Sequence, residues 1–192
     1  MNMCGEPCLL KHVEAYIELR DGNGSGPGFQ TFPELVERTI NPSQWGTVGT
    51  FDRLVLFQAP KWLTDAMGLP EETEPRFTVL DVKSGDVDYR DKFGRQMYTY
   101  ACAKAMWNFQ TNEYEPMPDD VNRDYCLVVS IPWWEENPVA ELIPVPMVKT
   151  AGLAGLQACD VVKRSRSYGE KAPAMKSLSA AVAPKKKAIA VP

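Results

Sequence analysis

The sequence predicts an α/β fold, with a mixed central sheet of four to five strands flanked by helices. Three observations predict it. An amphipathic stretch at helical spacing lies near the start, compact apolar runs rich in β-formers recur between turn residues, and a second long helical segment separates two of those runs.

Taken in order, Pro7 to Arg20 reads as a helix, with Leu9, Leu10, Val13, Tyr16 and Ile17 as its apolar face. Asp21 to Gly28 is dense in glycine and is expected to be a loop. Its glycines have neither a preceding strand nor a phosphate-binding lysine, which excludes a nucleotide loop. A strand is expected over Leu35 to Ile40, a turn at Asn41-Pro42-Ser43, and a longer strand over Thr47 to Phe57. Gln58 to Arg76 is an excursion with room for a short helix. Phe77 to Lys83 (FTVLDVK) has the form of a strand buried until its charged end. Arg90 to Phe109 reads as the longest helix, with Gly94 costing about 1 kcal/mol against alanine. Tyr125 to Ile131 reads as another buried strand. Ala140 to Val145 reads as an edge strand, because Pro144 and Pro146 exclude a central place. Val148 to Lys163 reads as a closing helix.

At 192 residues the chain can bury one core, which the reading assigns to residues 1–167. Residues 168–192 change to alanine, lysine, serine and proline without a periodic apolar face, and are expected to form a disordered basic tail. The net charge of -4 hides this asymmetry. From Lys163 onward eight basic residues face one acid, so the body must be acidic. Such a body disfavours broad phosphate binding, although acids gathered at a metal site would not oppose a nucleic-acid groove. The Lys185-Lys186-Lys187 run either adds nonspecific attraction to DNA or keeps the tail solvated. No apolar run approaches the roughly 20 residues of a membrane span, and Met1 to Cys8 lacks a signal-peptide layout. A cytoplasmic location is therefore expected. Cys4, Cys8, Cys102, Cys126 and Cys159 are dispersed and odd in number, which favours reduced thiols over a disulfide framework.

Chemistry is concentrated on two strands that each carry a carboxylate. In a strand, residues i and i+2 share a face, so Asp81 and Lys83 project together while Val82 turns away. Antiparallel pairing would bring Asp52 beside Asp81. Two carboxylates and a backbone carbonyl are what Mg2+ accepts, with water completing its octahedron, and Mn2+ suits the same donors. Taken alone, an Asp–Lys pair at a strand end is better explained by a surface ion pair worth about 0–1 kcal/mol, because D-x-K is common by chance.

The order of the motifs says more. Gly49-Thr50-Phe51-Asp52-Arg53-Leu54, then Leu80-Asp81-Val82-Lys83-Ser84-Gly85, then Gln96-Met97-Tyr98-Thr99-Tyr100 resembles the signature of the RecB-type PD-(D/E)XK nucleases. The likeness covers roughly Leu35 to Leu142 and looks closest to small nucleases of actinobacterial phages. It implies a restriction-endonuclease-like core and Mg2+-dependent hydrolysis of DNA phosphodiesters, from ends or on single strands. A protein partner in recombination or replication fits the same family. The resemblance implies Asp52, Asp81 and the Val82 carbonyl as metal ligands, Lys83 as catalytic, and Gln96 and Tyr100 beside the pocket. Glu37, in Val36-Glu37-Arg38-Thr39, matches a glutamate that precedes the Asp-bearing strand, and is a further ligand candidate.

The family's upstream histidine helix has no clear counterpart. His12 lacks the accompanying glycine, although it stays a candidate. Related enzymes with an iron–sulfur cluster use a late group of three cysteines, which this chain lacks. Arg53 is open to phosphate contact or to a salt bridge. Trp133-Trp134 either stacks on bases or packs under a loop. A catalytically weak DNA-binding module and a structural phage protein with a decayed nuclease core remain the competing readings.

Overall fold

The computed structural model describes residues 9–23, 27–40, 49–84, 90–147, 149, 153 and 154. Their order is α1 (Leu9–Arg20), β1 (Gln30–Ile40), β2 (Gly49–Phe57), α2 (Lys61–Met67), β3 (Arg76–Lys83), α3 (Arg90–Ala101), β4 (Ala105–Asn108), β5 (Glu113–Pro116), β6 (Tyr125–Ser130) and β7 (Glu141–Pro146). The strands form one sheet in the order β5-β4-β1-β2-β3-β6-β7. The chain is thus α/β with a mixed sheet, as expected, but among the described residues there are seven strands where four to five were expected.

Only β3 and β6 are parallel, and the crossover between them carries α3 and the β4–β5 hairpin. That hairpin departs from the expectation of helix through to Phe109. Ala103 to Asn108 contains good helix formers, yet the helix stops at Ala101 and the chain reverses through Asn112 at a left-handed φ of 58°. Trp107 then pairs with Tyr114, their rings 4.8 Å apart edge to face. Arg38, buried on β1, ties the hairpin down through an ion pair with Glu115 at 2.8 Å.

β1 also starts earlier than expected, at Gln30, despite Pro33. Its register against β2 shifts between Thr31 and Val36, and only Ile40 pairs with β4. Most of that edge is therefore free of the ladder bonds that a proline would break. At the far edge β7 accommodates Pro144 and Pro146 as expected.

The two faces of the sheet bury different sets of side chains. On one, Leu54, Val79, Cys126, Val128 and Val145 pack with Met97, Tyr98 and Ala101 of α3. On the other, Val55, Phe57, Leu80, Leu127 and Val129 pack with Ala15 and Leu19 of α1 and Leu63 of α2. The α1 contact corrects the sequence reading. Leu9, Leu10, Val13 and Ile17 face solvent, and the sheet takes the Ala15 and Leu19 side instead, where Tyr16 meets Phe29 edge to face. Gly94, expected only to weaken α3, has a packing reason: a Cβ there would lie 2.7 Å from the Pro146 carbonyl oxygen, so its absence lets the helix seat on β7.

Among the described residues no helix is long and apolar enough to cross a membrane. The turn at Asn41, most of the closing helix and the whole basic tail lie outside the described residues, as do Cys4, Cys8 and Cys159.

Candidate functional site

β3 positions the site. It is buried from Thr78 through Asp81, and its last two residues, Val82 and Lys83, are partly exposed. Its alternation gives Val79, Asp81 and Lys83 the α3 face, while Leu80 joins the core on the α1 face. Asp81 is therefore a carboxylate set into an apolar layer, only 5% exposed. Lys83 reaches back to it, with Nζ 2.5 Å from Oδ2. The same ammonium lies 5.4 Å from the centre of the Phe93 ring on α3.

β2 brings the second carboxylate. The β2–β3 ladder runs from Phe57↔Arg76 to Arg53↔Leu80 and ends there. The next donor of β3 in line for β2 is the Val82 N–H, and the Asp52 side chain takes it, with Oδ2 accepting at 2.8 Å. A residue's N–H and C=O point to the same side of a strand, so the Val82 carbonyl is directed to the Asp52 side as well. The gap where the ladder stops is thus lined by Asp52, Asp81 and the Val82 peptide.

The electrostatics follow from this crowding. Burial raises the Asp81 pKa above its ordinary value; the Lys83 ammonium opposes the shift and the Asp52 carboxylate adds to it. The field reaches further, since the Cys126 thiol is pushed up to about 12 by burial and then by the charge of Asp81. Two repelling carboxylates with only one lysine between them form a site that a divalent cation would relieve. Their oxygens and the Val82 carbonyl suit a hard ion such as Mg2+ or Mn2+, with water completing the shell.

α3 sets one stripe of side chains on the face of the sheet that carries Asp81. Phe93, Gln96 and Tyr100 recur at three and four residues, so they share a face. The Gln96 amide donates to the Tyr100 hydroxyl at 2.6 Å, joining the two residues that the sequence singled out. Tyr100 is 8% exposed and lies over the start of β2. A Cβ at Gly49 would be 2.5 Å from Tyr100 Cε1, so the glycine of the G-x-x-D motif makes room for the tyrosine of the helix motif.

Glu37 is placed in a more qualified way. The register of β1 on β2, with Val36↔Arg53 and Arg38↔Phe51, sets Glu37 opposite Asp52. The row Glu37, Asp52, Asp81 therefore crosses three neighbouring strands. Yet Glu37 is exposed, and its backbone is left-handed at φ 49°, an uncommon conformation for a side chain of this kind. Among the described residues no group of three or more His, Cys, Asp or Glu is gathered as a metal cluster, so the donor set here is two carboxylates, with Glu37 one strand away.

Two other candidates lie elsewhere. Arg53 turns to the opposite face, its guanidinium 5.1 Å from the centre of the Tyr16 ring. His12 is on α1, which packs on the face of β3 bearing Leu80, not the one bearing Asp81 and Lys83. Sequence reasoning also passed over Ser130 and Glu141. Register aligns Lys83 with Ser130 and Ser130 with Glu141, a second polar row two residues beyond the one through Asp81, which continues into Val128 and Ile143. Only strand pairing could reveal them, because neither belongs to a local motif. Comparison with protein-family models, with curated proteins and with solved structures finds no match to this chain.

Proposed function

We propose that the chain is a divalent-metal-dependent deoxyribonuclease of the RecB-type PD-(D/E)XK kind, hydrolysing DNA phosphodiester bonds. One observation carries the reading: the carboxylates of Asp52 and Asp81 converge at the open end of β3 with Lys83 against Asp81. A salt bridge that served stability alone would gain little here, since a desolvated acid beside a second acid is a cost that surface pairs avoid.

In this reading Asp52, Asp81 and the Val82 carbonyl hold the ion, with Glu37 as an outer candidate. A bound Mg2+ stabilises the charge that builds on the phosphoryl oxygens and lowers the pKa of a coordinated water. The protein's own groups do the rest. Lys83 would orient the attacking water and offset the charge developing on the phosphoryl group, and Asp81 fixes its ammonium in place. Phe93 flanks that ammonium with its ring on the α3 side. Gln96 and Tyr100 hold one another through their hydrogen bond and present polar atoms to the DNA strand at the pocket rim.

The test is cleavage of labelled single- and double-stranded DNA with Mg2+, with Mn2+ and with chelator, for the wild type and for Asp81→Ala and Lys83→Ala. Metal-dependent cleavage lost in both variants supports the proposal. DNA binding without cleavage under every metal condition would instead make the chain a binding module built on the same core.

A further inference from the structure

The segment after β6 keeps two large aromatic rings in solvent beside this site. Trp133 is 61% and Trp134 51% exposed, which rules out packing under a loop. Their position is fixed by backbone bonds. The Ile131 N–H donates to the Lys83 carbonyl at 2.8 Å, and the Trp133 N–H donates to the Ser84 carbonyl at 3.3 Å. A turn from Pro132 to Glu135 closes at 3.3 Å, and Asn137 accepts from Lys11 Nζ at 2.7 Å, so the segment is held at both ends. Trp133 is therefore attached one peptide beyond the lysine of the site.

We propose that Trp133 and Trp134 form a stacking subsite for unpaired nucleobases, so that the preferred substrate is single-stranded DNA or a frayed end. The indole rings lie 6.1 Å apart at 83°, edge to face. Each offers a face in a different direction, so two bases could stack on them only if splayed from one another. Bases inside a duplex have both faces covered by neighbours and cannot do this, whereas unpaired bases can. The adjacent residues Glu135 and Glu136 are exposed and acidic, which disfavours phosphate on that side and leaves the base as the group in contact. The location of the subsite rests on the nuclease reading, but its binding does not.

The experiment measures binding of a fluorescent oligothymidylate to the full chain in Ca2+, for the wild type, Trp133→Ala, Trp134→Ala and Trp133→Phe. Cleavage of single- and double-stranded DNA is followed separately in Mg2+. Each alanine variant is expected to bind about ten-fold more weakly, with phenylalanine restoring most of the loss. An oligonucleotide of the same length with abasic sites should bind the wild type no better than it binds the alanine variants. Equal binding of oligothymidylate by wild type and alanine variants, or no binding at all, overturns the subsite even if the wild type cleaves DNA. Weakened binding in a protein that cleaves nothing keeps the subsite and removes the nuclease.

Discussion

The Asp52 carboxylate accepts the Val82 N–H at 2.8 Å, in the place where a further rung of the β2–β3 ladder would lie. One side chain thus has a structural partner and a proposed metal partner, and the two can be separated. Asparagine keeps an oxygen that accepts from Val82 but has no charge, and alanine keeps neither. Asp52→Asn is expected to stay within about 1 kcal/mol of wild-type stability, whereas Asp52→Ala should lose about 1–3 kcal/mol by leaving the donor unpaired. Both should abolish metal-dependent cleavage. Urea denaturation beside a cleavage assay checks it, and an active Asp52→Asn would contradict the metal role.

Asp81 is predicted to trade stability for its task. Its pKa is raised, chiefly by burial, so the folded state prefers the protonated acid. A raised carboxylate contributes stability below its unfolded value of about 4 and loses it as pH rises through the folded value. The full penalty applies once pH exceeds the folded value. Asp81→Asn should therefore melt at the same temperature as wild type or up to ~4 °C higher at pH 7, although inactive. The difference should shrink as pH falls through the raised pKa. Calorimetric melting between pH 4 and pH 8 reads this directly, and a gap that widens on acidification would reverse the sign.

Metal should stabilise the fold through these carboxylates. An ion that binds only the folded chain adds about 1.4 kcal/mol at ten times its dissociation constant. For a chain of this size that is a rise of ~3–6 °C in melting temperature. The rise should vanish in Asp52→Asn and Asp81→Asn and weaken on acidification, because a proton on Asp81 competes with the ion. Thermal shift with Mg2+ and Mn2+ at two pH values measures it. A shift retained in both variants would place the ion elsewhere.

What the sequence made legible follows from how local each signal is. FTVLDVK shows its burial and its charged end within one strand, so Asp81 and Lys83 could be placed on one face before any pairing was known. Gln96 and Tyr100 are four apart on a helix, and their contact is equally local. The β4–β5 hairpin was hidden because Trp107 and Tyr114 become partners only after a left-handed turn at Asn112. The buried face of α1 was misread because Ala15 and Leu19 compete with a larger apolar stripe, and which side the sheet takes is a matter of fit, not hydrophobicity. Ser130 and Glu141 needed the register of β6 on β3 and of β7 on β6.

Gly94→Ala tests packing against propensity. Alanine would add about 1 kcal/mol of helix stability in isolation. Here its Cβ would lie 2.7 Å from a backbone oxygen, Pro146 O, which cannot rotate away. The clash should prevail, with a net loss of about 1–3 kcal/mol as α3 shifts off β7. Since α3 carries Phe93, Gln96 and Tyr100, cleavage should fall as well. Denaturation midpoints decide the sign, and a stabilised variant would mean that the helix can move at little cost.

Lys83→Met separates charge from packing at the same site. Methionine retains an apolar chain against Phe93 and removes the ammonium that offsets the burial of Asp81. Without that cation the two carboxylates repel with less relief, so the Asp81 pKa should rise further and the acid should protonate at higher pH. A divalent ion would at the same time lose a like-charged neighbour. At pH 8 Mn2+ should bind the variant as tightly as wild type or several-fold more tightly. At pH 5.5 it should bind more weakly, because a proton competes for Asp81 more strongly in the variant than in wild type. Cleavage at pH 8 should drop about 100-fold or more, the usual cost of losing a positioned donor aimed at the developing charge. Titration calorimetry with Mn2+ at the two pH values, alongside single-turnover cleavage, distinguishes this from a lysine that only braces the fold. In that case metal affinity and cleavage would fall together at both pH values.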